Sequence, residues 1–216
     1  YTMMVVNDTI SGNLPKRYDS RDYKYVTPVS DQLNGDFCWA FSTIAVLESC
    51  IAKATGMHFD LSENNLINLN KKYSPYGLNT IAQAGNPINA IGYLLSWLGP
   101  VNDSDDTYDP DTTVSPVLDS IMHVQNVKFL DMKYDGSDIN AIKEAIMKYG
   151  AVGTSIYWMQ FYPLQNSSSY YHYSDEPALT NHAITLVGWD DNYSKDNFGI
   201  TPPGDGAWIC KNSWGQ

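Results

Sequence analysis

Cys38 stands in the stretch Gln32-Leu-Asn-Gly-Asp-Phe-Cys38-Trp-Ala-Phe-Ser42, where a thiol opens a helical pattern. A thiol is a weak nucleophile until it loses its proton. The unpaired N–H groups and the positive dipole end of a first helical turn favour the thiolate. Taken alone, a cysteine followed by Trp39, Ala40 and Phe41 reads as a core residue, because free cysteine behaves as a small hydrophobe. Two downstream residues change that reading: His182, in Thr180-Asn-His182-Ala-Ile, and Asn212, in Cys210-Lys-Asn212-Ser-Trp. Acyl transfer to a thiol needs a base within hydrogen-bond reach and a third group that fixes the ring of that base. Cys38, His182 and Asn212 supply one of each.

From Leu14 to the last residue, the motifs LPKRYDSRD, DQ, CWAFS, LSENNL, NHAITLVGWD and KNSWG follow one another in an order that resembles papain-like cysteine peptidases, in particular their bacterial branch. Cys38 and His182 are 144 residues apart (182 − 38), inside the window of roughly 130 to 150 residues usual for that family. Asn212 lies further on, so extra residues fall in the Asp-, Asn-, Gly- and Pro-rich segment from Asp190 to Gly206, which reads as a loop.

The resemblance implies a thiol-dependent endopeptidase that forms a covalent acyl-enzyme on Cys38, with His182 as general base and acid and Asn212 orienting it. Gln32, six residues before Cys38, would join the Cys38 backbone N–H in the oxyanion hole. Trp214 would cover the Asn212–His182 hydrogen bond from water, and Trp39 would support the nucleophile. Ala84-Gly85-Asn86-Pro87 is similar to the segment that pairs with an extended substrate, Gly85 being the place where a missing side chain admits the strand. Pro87, Ser155, Thr180 and Ala183 would line the pocket on the acyl side. No cofactor or metal is implied. The implied partner is a protein or peptide substrate met in a secreted or cell-surface setting, with a propeptide and lectin-like or wall-anchoring domains outside this chain.

Two departures from the family pattern precede the nucleophile. Asp36 places a negative charge where a thiolate must form, and Phe37 is expected to narrow the same rim. They keep a second function open: a silent or weak module that binds peptide or cell-wall polymer in the same cleft. An aminopeptidase or transpeptidase on the same fold is the nearer alternative.

The elements that must carry these residues divide the chain into two textures. Helical signals come first: Cys38 to Thr55 before Gly56, Glu63 to Lys72 after a capping Ser62, and a helix from Pro87 to Trp97. Ser137 is expected to cap a helix with Ile139, Ile142, Ile146 and Tyr149 on one face. Strand-like runs follow at Ala151 to Trp158, His182 to Trp189 and Gly206 to Lys211. Helices followed by strands read as α+β. In family terms this is a papain-like two-lobe fold, a helical lobe at about 30–110 and an antiparallel β-barrel-like lobe at about 111–216, with the active site in the cleft between them. Residues 1–13 are expected to be a propeptide remnant or linker, and the resemblance implies further strands beyond Gln216.

Composition narrows the function classes. The chain has 216 residues, 43% of them hydrophobic, and a net charge of −11. That is enough apolar material for a sizeable core, and the acidic balance disfavours nucleic-acid binding through phosphates. No run of about 18 apolar residues could span a membrane. Cys50 and Cys210 are expected to be buried free thiols. The positions where many extracellular relatives carry a disulfide correspond by resemblance to Gly35 and Leu69. His58, His123 and His172 are scattered without metal-ligand spacing. The acidic run Asp103–Asp111 lacks the Gly and Glu of a calcium loop and reads as a solvated loop.

Overall fold

Eighteen residues from Cys38 to Thr55 form α1, the helix against which both halves of the molecule pack. The computed structural model describes residues 13–72, 85–131, 133, 136–159, 168–173 and 180–215. Residues 1–12, all but the last of the expected propeptide remnant or linker (1–13), and Ala84 lie outside the described residues. Gly56 ends α1 in the left-handed conformation at φ 72°, its N–H closing on Ala52 O, as its position after the last helical residue leads one to expect. On one side α1 meets α2 (Glu63–Lys72) and α3 (Pro87–Leu95). Phe37, Trp39, Phe41, Ile44, Leu61, Leu66, Tyr93 and Leu94 fill the space between them. The acidic run is tied to α2, because the Asp106 carboxylate accepts from Asn64 Nδ2 at 2.8 Å and from Asn65 Nδ2 at 2.9 Å.

The other side of α1 faces an antiparallel sheet. Its strands are β1 (Arg17–Asp19), β2 (Val152–Ile156), β3 (His182–Asp190) and β4 (Ala207–Lys211). β3 is central: β2 pairs with residues 182–186 and β1 with 188–190 along one edge, and β4 runs along the other. With α1 on one face and α4 (Ile139–Tyr149) on the other, every residue of β3 but Asp190 is buried, and its sequence is a near-continuous apolar run. Gly188 is required where β1 crosses, since a Cβ there would run into the Tyr18 carbonyl oxygen. Helix α4 covers the sheet with Ile146 and Ile142, packing against Tyr18, Ile184, Leu186 and Trp189. This is an α+β architecture, with α2 and α3 on one side of α1 and the sheet, covered by α4, on the other.

Polar contacts from Ser42 bind α1 to the sheet half. Ser42 Oγ donates to Ile184 O at 2.9 Å, and Thr185 Oγ1 donates back to Ser42 O at 3.1 Å. Deeper in, Glu48 is 4% exposed; its Oε2 accepts from Thr27 Oγ1 at 2.5 Å and its Oε1 from Leu61 N at 2.9 Å. Lys211, at the end of β4, donates from Nζ to Thr27 Oγ1 at 2.8 Å and stands 3.9 Å from Glu48 Oε2. The loop from 191 to 206 between β3 and β4 is closed at its neck by Gly206 N donating to Tyr193 O at 2.8 Å and by Asp191 N donating to Lys16 O at 2.8 Å.

Several local expectations need correction. Asp138, not Ser137, is the N-cap residue of α4. It makes no side-chain cap, because its Oδ2 accepts from Lys133 N at 2.9 Å instead. α3 stops at Leu95, two residues short of Trp97, whose φ of 61° cannot continue a right-handed helix. Cys50 and Cys210 are free, as expected, but neither is fully buried: Cys50 is half-buried, and Cys210 is exposed because alternation along β4 turns Lys211 inward and Cys210 out.

Candidate active site

Cys38 is the first residue of α1 and His182 the first of β3, so each reactive group sits where its element begins. Cys38 Sγ accepts a hydrogen bond from the backbone N–H of Ala183 at 3.3 Å, which brings the thiol beside the residue that follows the imidazole. His182 Nε2 lies 2.8 Å from Asn212 Oδ1. An amide oxygen only accepts, so Nε2 carries the proton and Nδ1 is the basic nitrogen. Among the described residues Nδ1 makes no hydrogen bond. Ser213 N donates to the same Asn212 oxygen at 2.9 Å, which fixes the amide with its oxygen toward the ring. Trp214 stacks on His182, with centroids 4.9 Å apart and planes at 21°. Trp158 meets Trp214 edge-on at 4.7 Å.

Gln32 is buried in the loop that leads into α1, held by hydrogen bonds from its backbone and its side chain. Its N donates to Ser213 O at 2.8 Å and its O accepts from Tyr108 Oη at 2.8 Å. Its side-chain Oε1 accepts from Ser213 Oγ at 2.5 Å, and Nε2 donates to Gly35 O at 2.6 Å. The second hydrogen on Nε2 has no partner among the described residues. Ser213 therefore holds both the amide of Gln32 and the amide of Asn212. Sequence reasoning passes over Ser213 and Tyr108; the only hint for Ser213 is its place after Asn212.

The expected substrate-binding residues fall in different environments. Gly85 lies over Trp39, and a Cβ there would run into the indole. Trp39 is 1% exposed and its Nε1 has no hydrogen-bond partner among the described residues; the close packing of Gly85 on this indole beside the nucleophile itself demands the glycine. Asn86 serves as the N-cap of α3, its Oδ1 accepting from Ile88 N at 2.9 Å and Asn89 N at 3.3 Å. Pro87 begins α3 and is exposed. Ser155 and Ala183 are paired across β2 and β3; Ser155 is exposed, and Ala183 is buried in the cluster that also receives Cys38. Thr180 is exposed just before β3. Phe37 does not narrow the rim as expected: it is 7% exposed and packs into the helical core. An aromatic ring finds more apolar contact there than at a wet edge.

The electrostatics push both reactive groups toward neutrality. Burial raises the Cys38 thiol above its ordinary value, the N–H groups of Ala183 and Trp39 oppose this, and the Asp36 carboxylate raises it further. Burial lowers the His182 imidazole, and the hydrogen bond to Asn212 partly restores it. Charge on either alone is disfavoured, so an ion pair must come from their attraction for each other.

Compared with known protein families, residues 14–216 match the one described as papain family cysteine protease. Over 210 residues the chain is 31% identical to cysteine proteinase 15A of Pisum sativum, covering 94% of this chain and 55% of the pea protein. Over 211 residues it is 30% identical to probable cysteine protease RD19B of Arabidopsis thaliana, again 94% of this chain and 55% of the relative. The chain thus spans about half the length of the curated relatives it matches. Among solved structures, it is similar to the cysteine protease and lectin-like domains of Cwp84, a surface layer associated protein of Clostridium difficile. The TM-score is 0.80 at 29% identity, over 99% of this chain and 47% of that one. Digestive procathepsin L 3 of Tenebrio molitor larval midgut superposes with a TM-score of 0.72 at 25% identity, over 95% of this chain and 62% of the other.

Proposed function

The chain belongs to the papain family of cysteine proteases, and from that premise we propose that it is a thiol-dependent endopeptidase with Cys38, His182, Asn212 and Gln32 as its machinery. The observation that carries the proposal is a pair of contacts: Asn212 on His182 Nε2, and Ala183 N on Cys38 Sγ. Together they leave His182 Nδ1 as the basic ring nitrogen, on the residue next to the N–H that bonds the thiol. His182 Nδ1 takes the thiol proton as sulfur attacks the substrate carbonyl. The oxyanion is received by the Cys38 backbone N–H and the uncommitted hydrogen of Gln32 Nε2. The imidazolium then gives its proton to the departing amine, leaving an acyl-enzyme on Cys38. His182 next removes a proton from water, which attacks the thioester; the acid product leaves and the thiol is restored. Trp214, stacked on the imidazole, shields the Asn212 hydrogen bond from water.

Gly85, Asn86, Pro87, Ser155 and Ala183 are assigned to the acyl side of the substrate, with Asn86 acting through the start of α3 because its side chain is committed to the cap. Similarity to a surface layer associated protease supports a place outside the cell or at a bacterial surface, acting on proteins, with lectin-like or wall-anchoring domains as companions. The test is alkylation of Cys38 by iodoacetamide or an epoxide inhibitor, read by peptide mass, together with cleavage of an unfolded protein. Labelling and cleavage that both fall with His182→Ala are expected. An unlabelled Cys38, or labelling indifferent to His182→Ala, overturns the proposal.

Asp36 favours one second reading, a weak or silent module that binds peptide or wall polymer, since its charge raises the Cys38 thiol. Binding that survives Cys38→Ala in a parent protein without turnover would establish it.

A further inference from the structure

The acidic run Asp103–Asp111 reads from sequence as a solvated loop, yet it is bolted to the helical half. Ser62 Oγ donates to Asp106 O at 2.5 Å, and Asp103 N donates to Asp60 O at 2.8 Å. The two oxygens of the Asp106 carboxylate are taken by Asn64 and Asn65, both buried on α2. What this mount carries is Tyr108, whose ring meets Phe41 of α1 edge-on at 4.9 Å and 89°. Burial first, then the Glu63, Asp31 and Asp109 carboxylates, push its hydroxyl up to about 12. It therefore stays a donor throughout the neutral range, and the acceptor it reaches is Gln32 O at 2.8 Å.

Gln32 to Gly35 is a turn, closed by Gly35 N donating to Gln32 O at 3.0 Å. Its first corner is Leu33 at φ 51°, a conformation that suits glycine and strains a leucine. The Leu33 side chain is 57% exposed, so its own packing does not hold the corner in place. The turn must be imposed by its surroundings. Across the same turn Gln32 Nε2 spends one hydrogen on Gly35 O at 2.6 Å, so the shape of the turn decides where the other hydrogen points. Gly35 leaves little room for drift: a Cβ there would run into the Phe37 ring and lie 2.7 Å from Tyr108 Oη.

We propose that Tyr108 is a positioning residue for the oxyanion hole: carried by the acidic run and mounted on α2, its hydroxyl locks the Gln32–Gly35 turn so that the free hydrogen of Gln32 Nε2 meets the developing negative charge. This rests on the peptidase reading and gives the acidic run a part in it. Tyr108 touches neither the thiol nor the scissile carbonyl in this scheme. Its effect is confined to steps in which a carbonyl oxygen becomes charged.

The test compares reactions of Cys38 that do and do not make an oxyanion. Iodoacetamide loses iodide to the thiolate and leaves no charged oxygen in the hole. Peptide cleavage does form one, and a peptide aldehyde adds the thiol at its carbonyl and leaves its oxygen there. Tyr108→Phe keeps the ring and removes the donor, while Gln32 O keeps Gly35 N, so the melting temperature should stay within about 4 °C of the parent. We expect kcat for an internally quenched peptide to fall about tenfold or more, and aldehyde inhibition to weaken by a similar factor. KM and the rate of Cys38 alkylation should stay within about twofold, a split that general loosening of the fold would not give. Gly35→Ala should show the same pattern by displacing the hydroxyl, and it carries the test if Tyr108→Phe does not fold. An unchanged kcat, a rise in KM alone, or cleavage and alkylation lost in equal measure overturns the role of Tyr108. A parent protein that neither cleaves nor is alkylated at Cys38 overturns the peptidase reading and this role with it.

Discussion

Two sets of polar groups join the helical half to the sheet, and they are neighbours in the chain: β4 sends Lys211 into one and hands Asn212 to the other. In the deep set, Glu48, Thr27 and Lys211 are all buried and every charge has a partner within the set. Burial pushes the Glu48 carboxyl up and the Lys211 ammonium down, while their attraction opposes both shifts. In the outer set, the Cys38 thiol accepts from backbone N–H groups, and the His182 ring, among the described residues, has Asn212 as its acceptor. Completed partnering makes the deep set structural. Incomplete partnering in the outer set leaves a nitrogen with a lone pair and a sulfur with a proton, which is the condition for a transfer between them. What separates structure from reactivity here is the number of unclaimed valences, not the residue types.

Breaking the deep set should cost stability first. Lys211→Ala leaves the Glu48 carboxylate buried without its cation, and unfolding by urea should show a loss of about 3 kcal/mol or more. Residual activity should track the folded fraction; a change in kcat for the folded protein would blur the distinction between the two sets.

Glu63 borders the deep set and gives it a pH signature. Burial raises its carboxyl to about 8, so folding favours the protonated form. The sign follows: its contribution is fully present below about pH 4.5 and is lost as pH rises toward 8, on the order of a few kcal/mol in all. Glu63→Gln should flatten that decline in a series of urea melts across pH.

Ser213→Ala acts on the outer set. Losing the hydroxyl that holds Gln32 Oε1 should lower kcat about tenfold, a fraction of what removal of an oxyanion donor costs. KM and the melting temperature should change little; a KM effect with kcat intact would assign Ser213 to substrate binding. The smallest effect belongs to Asp36→Asn, which removes an exposed charge that raises the Cys38 thiol. The pH profile of Cys38 alkylation should move to lower pH by a fraction of a unit, and high salt should reproduce part of that shift in the parent.

Much of this organisation can be read from the chain. Gly56, Pro87 and the apolar spacing of α4 mark helices because their signals are local. The nucleophile, base and amide stand out because each lies in a motif of rare composition. β1 is invisible, since three residues become a strand only by pairing with residues 188–190. Phe37 points inward because Gly35 and the helical core leave it space, which no sequence pattern encodes. The cap role of Asn86 was available from its place before Pro87 with Asn89 three residues on, but a substrate role occupied the same segment. Ser213 escapes because its importance is the sum of three bonds to residues far away or adjacent, each ordinary alone.

The closed neck between β3 and β4 has an engineering consequence. With Tyr193 and Gly206 bonded to each other, the intervening residues form a lobe whose length is decoupled from the distance between the imidazole and its amide. Gly204 has nothing within 4 Å of where a side chain would start. A fluorescent or affinity module grafted there would hang from a knot already tied, and homologues could lengthen or shorten the lobe without retuning the chemistry.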